Sequence, residues 1–212
     1  MKTKRSLAMN DFERGLERYI GRERLEKLQK IKIGIAGAGG LGSNCAFNLV
    51  RSGFRKLKIV DFDFVEPANL NRQFYFIDQL GMPKVVALRQ NLLRINPDLE
   101  LETLQVKIDA GNIMELFGDC DVIVEAFDNI AGKTLLAEKF YSSGKLVVCA
   151  SGLAGWGSSD EIKIRKIHPK FFMVGDLVTE VGRDVPPISP RVNVTAAKQA
   201  DIVLDYIMNH GP

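Results

Sequence analysis

The feature that most restricts how this chain can fold is the segment IKIGIAGAGGLGS, residues 31–43. A strand-like apolar run (31–36) passes into Gly37, Gly39, Gly40 and Gly42. It then continues into SNCAFNLVRSG (43–53), a helical pattern that stops at Gly53. Glycine costs a helix or strand interior roughly 0.5–1 kcal/mol relative to alanine. A cluster of this density therefore marks a place where backbone turns sharply or lies against a partner. Gly37, Gly39 and Gly42 fit GxGxxG between strand and helix, and Asp61 follows about 20 residues on, at the end of the next strand. The glycines let backbone approach a phosphate, the helix N-terminus supplies free N–H groups and partial positive charge, and Asp61 can hold a ribose hydroxyl. The fingerprint alone does not separate NAD from ATP or S-adenosylmethionine.

Strand and helix patterns alternate along most of the remaining chain. KLKIVD (56–61) reads as a strand. PKVVALRQNLLRIN (83–96) reads as a helix, with Pro83 in its first turn and Pro97 beyond its end. LELETLQV (99–106) is a strand, GNIMELFG (111–118) a short helix and CDVIVEAF (120–127) a strand. AGKTLLAEKFYSSG (131–144) is a helix and KLVVCAS (145–151) a further buried strand. This order predicts an α/β, Rossmann-like, mostly parallel sheet with helices on both faces. EIKIRKI (161–167) alternates in the manner of antiparallel edge strands near the C-terminus, and VNVTAAKQADIVLDYIMN (192–209) closes the chain as a helix.

Residues 1–212 are expected to form a single nucleotide-binding domain with an N-terminal helical arm over about 1–29. In the arm Phe12, Leu16, Tyr19 and Ile20 recur at helical spacing, with Leu25 and Leu28 following a break at Gly21. Two stretches read as irregular, 62–82 and 168–191, the second carrying Pro169, Pro186, Pro187 and Pro190 with Gly175 and Gly182. Loops of that length are uncommon in a compact domain unless they carry function.

Composition narrows the partners. A net charge of +3 gives no argument for nucleic acid. Cys45, Cys120 and Cys149 form no CxxC pair, and His168 and His210 are the only histidines, so neither zinc nor a disulfide framework is expected. The three cysteines read as small core residues. No apolar run approaches the ~20 residues needed to span a bilayer. The N-terminus starts basic but returns to charge before any apolar stretch, unlike a secretory signal. A cytoplasmic location is expected.

The second informative stretch is DFDFVEPANLNRQ (61–73), which crowds Asp61, Asp63, Asn69, Arg72 and Gln73 into a loop beside the glycine turn. Arg72 can neutralise phosphate charge, with Asn69 and Gln73 as polar partners. Lys84 opens the next helix, within reach of the same cleft. Asp128 and Asn129, in EAFDN, follow the fourth strand on the same sheet edge. An acid there suits Mg²⁺, commonly held by one or two carboxylates plus substrate phosphates. Structural roles stand beside these: Arg72 and Lys84 as surface charges, Asn69 in a turn, Asp128 as cap of the helix starting near Ile130. Two other functions compete. A nicotinamide-dependent oxidoreductase uses the glycine turn and Asp61 but leaves Arg72, Lys84 and Asp128 idle. A non-catalytic, nucleotide-dependent partner-binding module keeps the fold without the chemistry.

GAGGLGS, DFDFVEPANLNRQ, MPK and EAFDN, together with INP (95–97) and ASGLAGWG (150–157), resemble the ThiF/MoeB branch of the ubiquitin-activating-enzyme superfamily. The short ThiF-type sulfur carrier protein (ThiS) adenylyltransferases of thiamin biosynthesis are the most similar members. The resemblance implies an enzyme that uses MgATP to convert the Gly-Gly carboxylate of a small ubiquitin-like sulfur carrier into an acyl-adenylate, releasing pyrophosphate. It implies that Gly39, Gly40, Asp61, Asp63, Asn69, Arg72, Gln73, Lys84 and Asp128 contact ATP or its metal, and that the protein is a homodimer. In that assembly an arginine of RYIGRE (18–23) acts in trans, Arg22 being the candidate and Arg18 the alternative. Many relatives carry two zinc-binding CxxC pairs, and some use a cysteine in the later crossover loop. This chain has neither, so the reaction is expected to stop at the adenylate, with sulfur arriving through another protein.

Overall fold

The computed structural model describes residues 9–210; the first eight residues of the expected arm, with the basic start of the chain, lie outside the described residues. The arm is two helices, α1 (Asp11–Ile20) and α2 (Arg22–Lys30), which meet at Gly21, the expected break. There follow β1 (Lys32–Ala36), α3 (Gly40–Arg51), β2 (Lys56–Val60), α4 (Lys84–Leu93), β3 (Glu100–Leu104) and α5 (Ile113–Phe117). The second half comprises β4 (Val122–Glu125), α6 (Ile130–Phe140), β5 (Leu146–Ala150), β6 (Lys163–His168), β7 (Phe171–Gly175) and α7 (Ser189–His210).

The seven strands form one sheet in the order β3-β2-β1-β4-β5-β7-β6. Every pair is parallel except β6 with β7. This is the mostly parallel, Rossmann-like α/β fold that the alternation predicts. Strands β4 and β5 are buried on both faces, hence their continuous apolar runs. Ile33, Ile35, Ile59, Val124 and Val148 share one core with Leu49 of α3, Leu88 of α4 and Val203 of α7. Ala36, Val60, Ile123 and Val147 point the other way, into a second core with Phe117 of α5 and Leu136 and Phe140 of α6. The order in which strands are added reverses between β1 and β4, and at such a switch point these sheets bind ligands in a crevice at the carboxyl ends of the strands.

Two expectations change. The irregular stretch 168–191 contains β7, which pairs parallel with β5 (Val147↔Phe171 through Ala150↔Val174) and antiparallel with β6. FFMVG holds four apolar residues ahead of Gly175, short enough to read as loop, and only pairing on both sides makes it a strand. Helix α7 begins at Ser189 rather than Val192, because Pro190 fits a first helical turn.

The amino ends of the strands are closed by polar contacts. Asn10 caps α1 by accepting from the Glu13 N–H (2.9 Å), and its amide donates to Asn96 (2.7 Å) and Asp98 (2.9 Å). Buried Glu13 accepts from Gln29 (3.1 Å) and Asn96 (3.4 Å) and lies 3.6 Å from Arg55. The INP turn therefore anchors the arm. Nearby, Lys32 and Lys58 share Glu102 and Asp119, Lys58 lying 2.6 Å from Asp119 and Lys32 2.5 Å from Glu102. Among the described residues no helix is long and apolar enough to cross a membrane.

Candidate active site

The glycine turn occupies the crevice between β1 and β4. Gly37 has φ 109°, and a Cβ there would lie 2.7 Å from the Ala126 carbonyl. A Cβ on Gly42 would lie 1.9 Å from the Gly37 carbonyl. These two glycines are demanded by the chain's own packing. At Gly39 the nearest atom to an added Cβ is the Gln73 amide nitrogen, at 3.9 Å. Gly39 is the N-cap of the twelve-residue α3 and offers no side-chain cap, so the first-turn N–H groups take no bond from it.

Side chains lace the 61–75 loop to this turn. Asp61 accepts from the Ala38 N–H (2.6 Å) and the Asp63 N–H (2.8 Å), while the Tyr75 hydroxyl donates to the Ala38 carbonyl (2.7 Å). Burial raises the Asp61 carboxyl above its ordinary range, opposed by those two N–H donors and by the charge of Lys84. Asp61 thus holds the turn first, and a ribose hydroxyl would share oxygens already in use. The Asn44 amide donates to the Gly40 (2.7 Å) and Arg72 (2.8 Å) carbonyls, and the Ser43 hydroxyl accepts from the Phe74 N–H (3.0 Å). Ser43, Asn44 and Tyr75 escape a sequence reading. The first two are plain helix residues there, and Tyr75 lies in a stretch that reads as loop.

The charged candidates line this frame. Arg72 is half-buried; its Nη1 donates to the Ala68 carbonyl (2.9 Å) and Asn71 (2.7 Å), and its Nε and Nη2 make no hydrogen bond among the described residues. Burial lowers the Arg72 pKa, and the charge of Asp128 pulls it back up, so the two sit within electrostatic reach. Lys84 is buried, with its ammonium 2.8 Å from Asp63. Gln73 is buried with its carbonyl oxygen unpartnered, which is costly unless something else fills that bond. Asn69 serves its turn, accepting from the Glu66 N–H (2.9 Å).

Asn129 caps α6, accepting from the Gly132 N–H (2.8 Å). Asp128 is therefore free of the capping role and stays exposed, its carboxylate taking, among the described residues, only a 3.2 Å contact from the Asn129 amide. The Asn129 side-chain oxygen is committed to the helix, while the Asp128 carboxylate is open to solvent. Arg22 is exposed and pairs with Glu26 at 2.8 Å, and Arg18 is exposed. All three cysteines are buried, as expected of core residues; burial pushes their thiols up, that of Cys120 to about 12.

The crevice thus combines a helix N-terminus, two cations, an unpartnered amide oxygen and three acids. Such a set suits a polyphosphate with a divalent ion. No cluster of three or more His, Cys, Asp or Glu side chains able to hold a metal occurs among the described residues. A lone exposed carboxylate fits Mg²⁺, which keeps several waters and takes its other ligands from phosphate.

A doubly wound sheet with a glycine turn at its switch point, under a crevice of this charge pattern, defines a nucleotide-binding α/β protein. The chain belongs to the ThiF family, whose profile matches residues 12–170. It is 36% identical over 170 residues to tRNA threonylcarbamoyladenosine dehydratase 2 of Saccharomyces cerevisiae, covering 76% of this chain and 35% of that protein. It is also 36% identical over 128 residues to the sulfur carrier protein ThiS adenylyltransferase of Bacillus subtilis, covering 59% of this chain and 38% of that one. The chain spans about a third of the length of these curated relatives. Among solved structures, E. coli tRNA N6-threonylcarbamoyladenosine dehydratase in complex with ATP superposes with a TM-score of 0.85 at 18% identity, covering 95% of this chain and 97% of that one. E. coli MccB with AMPCPP and MccA gives 0.68 at 22% identity, covering 87% and 58%. These superpositions show the shared fold.

Proposed function

We propose that the chain is an ATP-dependent adenylyltransferase acting on the C-terminal Gly-Gly carboxylate of a small ubiquitin-like sulfur carrier, in thiamin biosynthesis. The observation that carries this reading is the set of open groups around the glycine turn: the Arg72 Nε and Nη2, the Gln73 carbonyl oxygen and the Asp128 carboxylate. A nicotinamide cofactor needs none of them. The names of the B. subtilis relative and of the neighbour bound to ATP support it further.

In this reading a carrier carboxylate oxygen attacks the α-phosphorus of ATP, the bond to the β-phosphate oxygen breaks, and pyrophosphate leaves. The nucleophile is already ionised, so no general base is required, consistent with the absence of His, Ser or Cys from the proposed catalytic set. The obstacle is bringing anion to anion, since two unit charges at 4 Å repel by about 4 kcal/mol at an effective dielectric of 20. Arg72 and Lys84 offset that repulsion by position and charge. Asp63 already holds the Lys84 ammonium at 2.8 Å, so it is oriented before substrate arrives. Asp128, with Arg72 opposite, would hold Mg²⁺, which supplies charge neutralisation on the phosphates. Asp61, Asp63, Asn69 and Gln73 shape the nucleotide pocket, and Arg22 of a second copy completes it in a homodimer. Because the cysteines are buried, the carrier leaves as its adenylate and sulfur is added by another protein.

ATP–pyrophosphate exchange with Mg²⁺ and a Gly-Gly-ended carrier tests this; exchange dependent on the carrier is expected. The names of the S. cerevisiae relative and the E. coli neighbour favour a second substrate, the threonyl carboxylate of threonylcarbamoyladenosine in tRNA. Exchange driven by such a tRNA, and not by the carrier, moves the assignment there. NAD binding without exchange favours an oxidoreductase, and carrier binding without exchange a non-catalytic module.

A further inference from the structure

We propose that Lys133 and Glu125 are positioning residues that set the carboxylate of Asp128 for its metal, a role resting on the adenylyltransferase reading above. The argument starts where β4 and β5 part. Their ladder ends at Val124↔Val148, yet β5 continues to Ala150 while the chain leaving β4 turns toward the glycine loop. Ala150 is left with no backbone partner on β4, and side chains replace the missing rung. The Ala150 N–H donates to Glu125 Oε2 (3.2 Å), and the Ala150 carbonyl accepts from the Lys133 ammonium (2.9 Å). Lys133 closes the unit by donating to both Glu125 oxygens, at 2.9 and 3.1 Å.

The same carboxylate reaches forward into the site. Glu125 Oε1 accepts from the Phe127 N–H at 2.7 Å, fixing the residue that precedes Asp128. Ala126, between them, donates its N–H to Ala36 (3.0 Å) and packs its carbonyl on Gly37. From α7, Gln199 donates to the Glu125 (2.9 Å) and Val148 (3.3 Å) carbonyls, bracing the same junction from the other face of the sheet. Glu125 is 1% exposed, and Lys133 and two N–H groups satisfy its carboxyl oxygens, as burial of such a group requires. Asp128 has no comparable anchor of its own. Its place over the crevice is inherited from the turn, and the turn is held by this buried pair. Lys133 itself is committed to Glu125 and Ala150, with no N–H left for substrate.

The test measures binding as well as turnover. ATP is titrated calorimetrically into the full chain with Mg²⁺ and with EDTA, for the unmodified protein, Lys133→Met, Lys133→Arg, Asp128→Ala and the Lys133→Met/Asp128→Ala double variant. Lys133→Met should lose about tenfold of the Mg²⁺-dependent gain in ATP affinity, the loss typical of outer-shell ligands, with affinity in EDTA unchanged. Lys133→Arg, which keeps a cation opposite Glu125, should restore most of that gain. On the Asp128→Ala background Lys133→Met should cost nothing further. An equal loss with and without metal, or additive losses in the double variant, would overturn the positioning role in favour of a purely structural one. A retained metal gain in Lys133→Met overturns it as well. If the unmodified protein shows no Mg²⁺-dependent gain at all, the adenylyltransferase reading fails first and this role with it.

Discussion

The two edges of the sheet use charge in opposite ways. At the amino edge, Lys32, Lys58, Glu102 and Asp119 form a closed network, and Asn10, Glu13, Asn96 and Asp98 satisfy one another. At the carboxyl edge, Asp61 and Tyr75 are equally closed, but Arg72, Gln73 and Asp128 keep groups unpaired. A buried polar group without a partner costs about 1–3 kcal/mol, and an open charge in a crevice is an invitation to a counter-ion. At these two places the groups that answer each other hold the sheet, and the open ones beside the glycine turn are those a nucleotide would engage.

Mutation breaks this comparison most sharply where the difference is largest. Arg72→Ala and Asp128→Ala should each lower carrier-dependent exchange about 10²–10³-fold, the range for removing one group aimed at developing charge. Both variants should melt close to the unmodified protein, because neither side chain supports the core. Retained exchange in either would remove that residue from the mechanism. A matching loss of melting temperature would move it to the structural side of the comparison.

The glycine turn contains the same contrast within four residues. Gly42→Ala drives a methyl into the Gly37 carbonyl at 1.9 Å, and it should destabilise near the upper end of the roughly 1–3 kcal/mol seen for overpacking. Gly39→Ala meets no atom nearer than 3.9 Å and should leave urea midpoints nearly unchanged while weakening ATP binding. Equal stability effects at the two positions would mean that the turn is uniformly structural and that the open space over Gly39 holds no ligand.

Much of this was legible in the residues alone. Apolar runs such as VIVEAF and LVVCA announce buried parallel strands, and the GxGxxG turn with Asp61 places the crevice. FFMVG did not announce itself, because four apolar residues between a lysine and a glycine carry no periodicity, and strand status there comes from neighbours distant in the chain. Side-chain bookkeeping was equally hidden. EAFDN offers Asp128 as the cap of α6, and only the Gly132 N–H, reaching Asn129 at 2.8 Å, moves that role to the neighbouring residue. Likewise Glu125 passes unremarked within an apolar strand, and only the structure shows Lys133, eight residues on, answering it.

The smallest expected effect lies at the amino edge, where it sharpens the rule by its absence from catalysis. Hydrogen bonds from Lys32 and then Lys58 hold the Asp119 carboxyl well below the usual range, and a hydrogen bond from Lys32 lowers that of Glu102. Both folded-state values are depressed, so the unfolded chain binds protons first as pH falls. The stabilisation is complete above the unfolded values, about 3.9 and 4.3, and drains away as pH drops below them. Asp119 and Glu102 are each half-exposed, which limits the network to about 1 kcal/mol or less. Asp119→Asn should therefore lower the urea midpoint slightly at pH 7 and flatten its fall between pH 5 and about 2. Exchange at pH 7 should be untouched. A change in exchange, or an unaltered acid slope, would show that the closed edge is not independent of the open one.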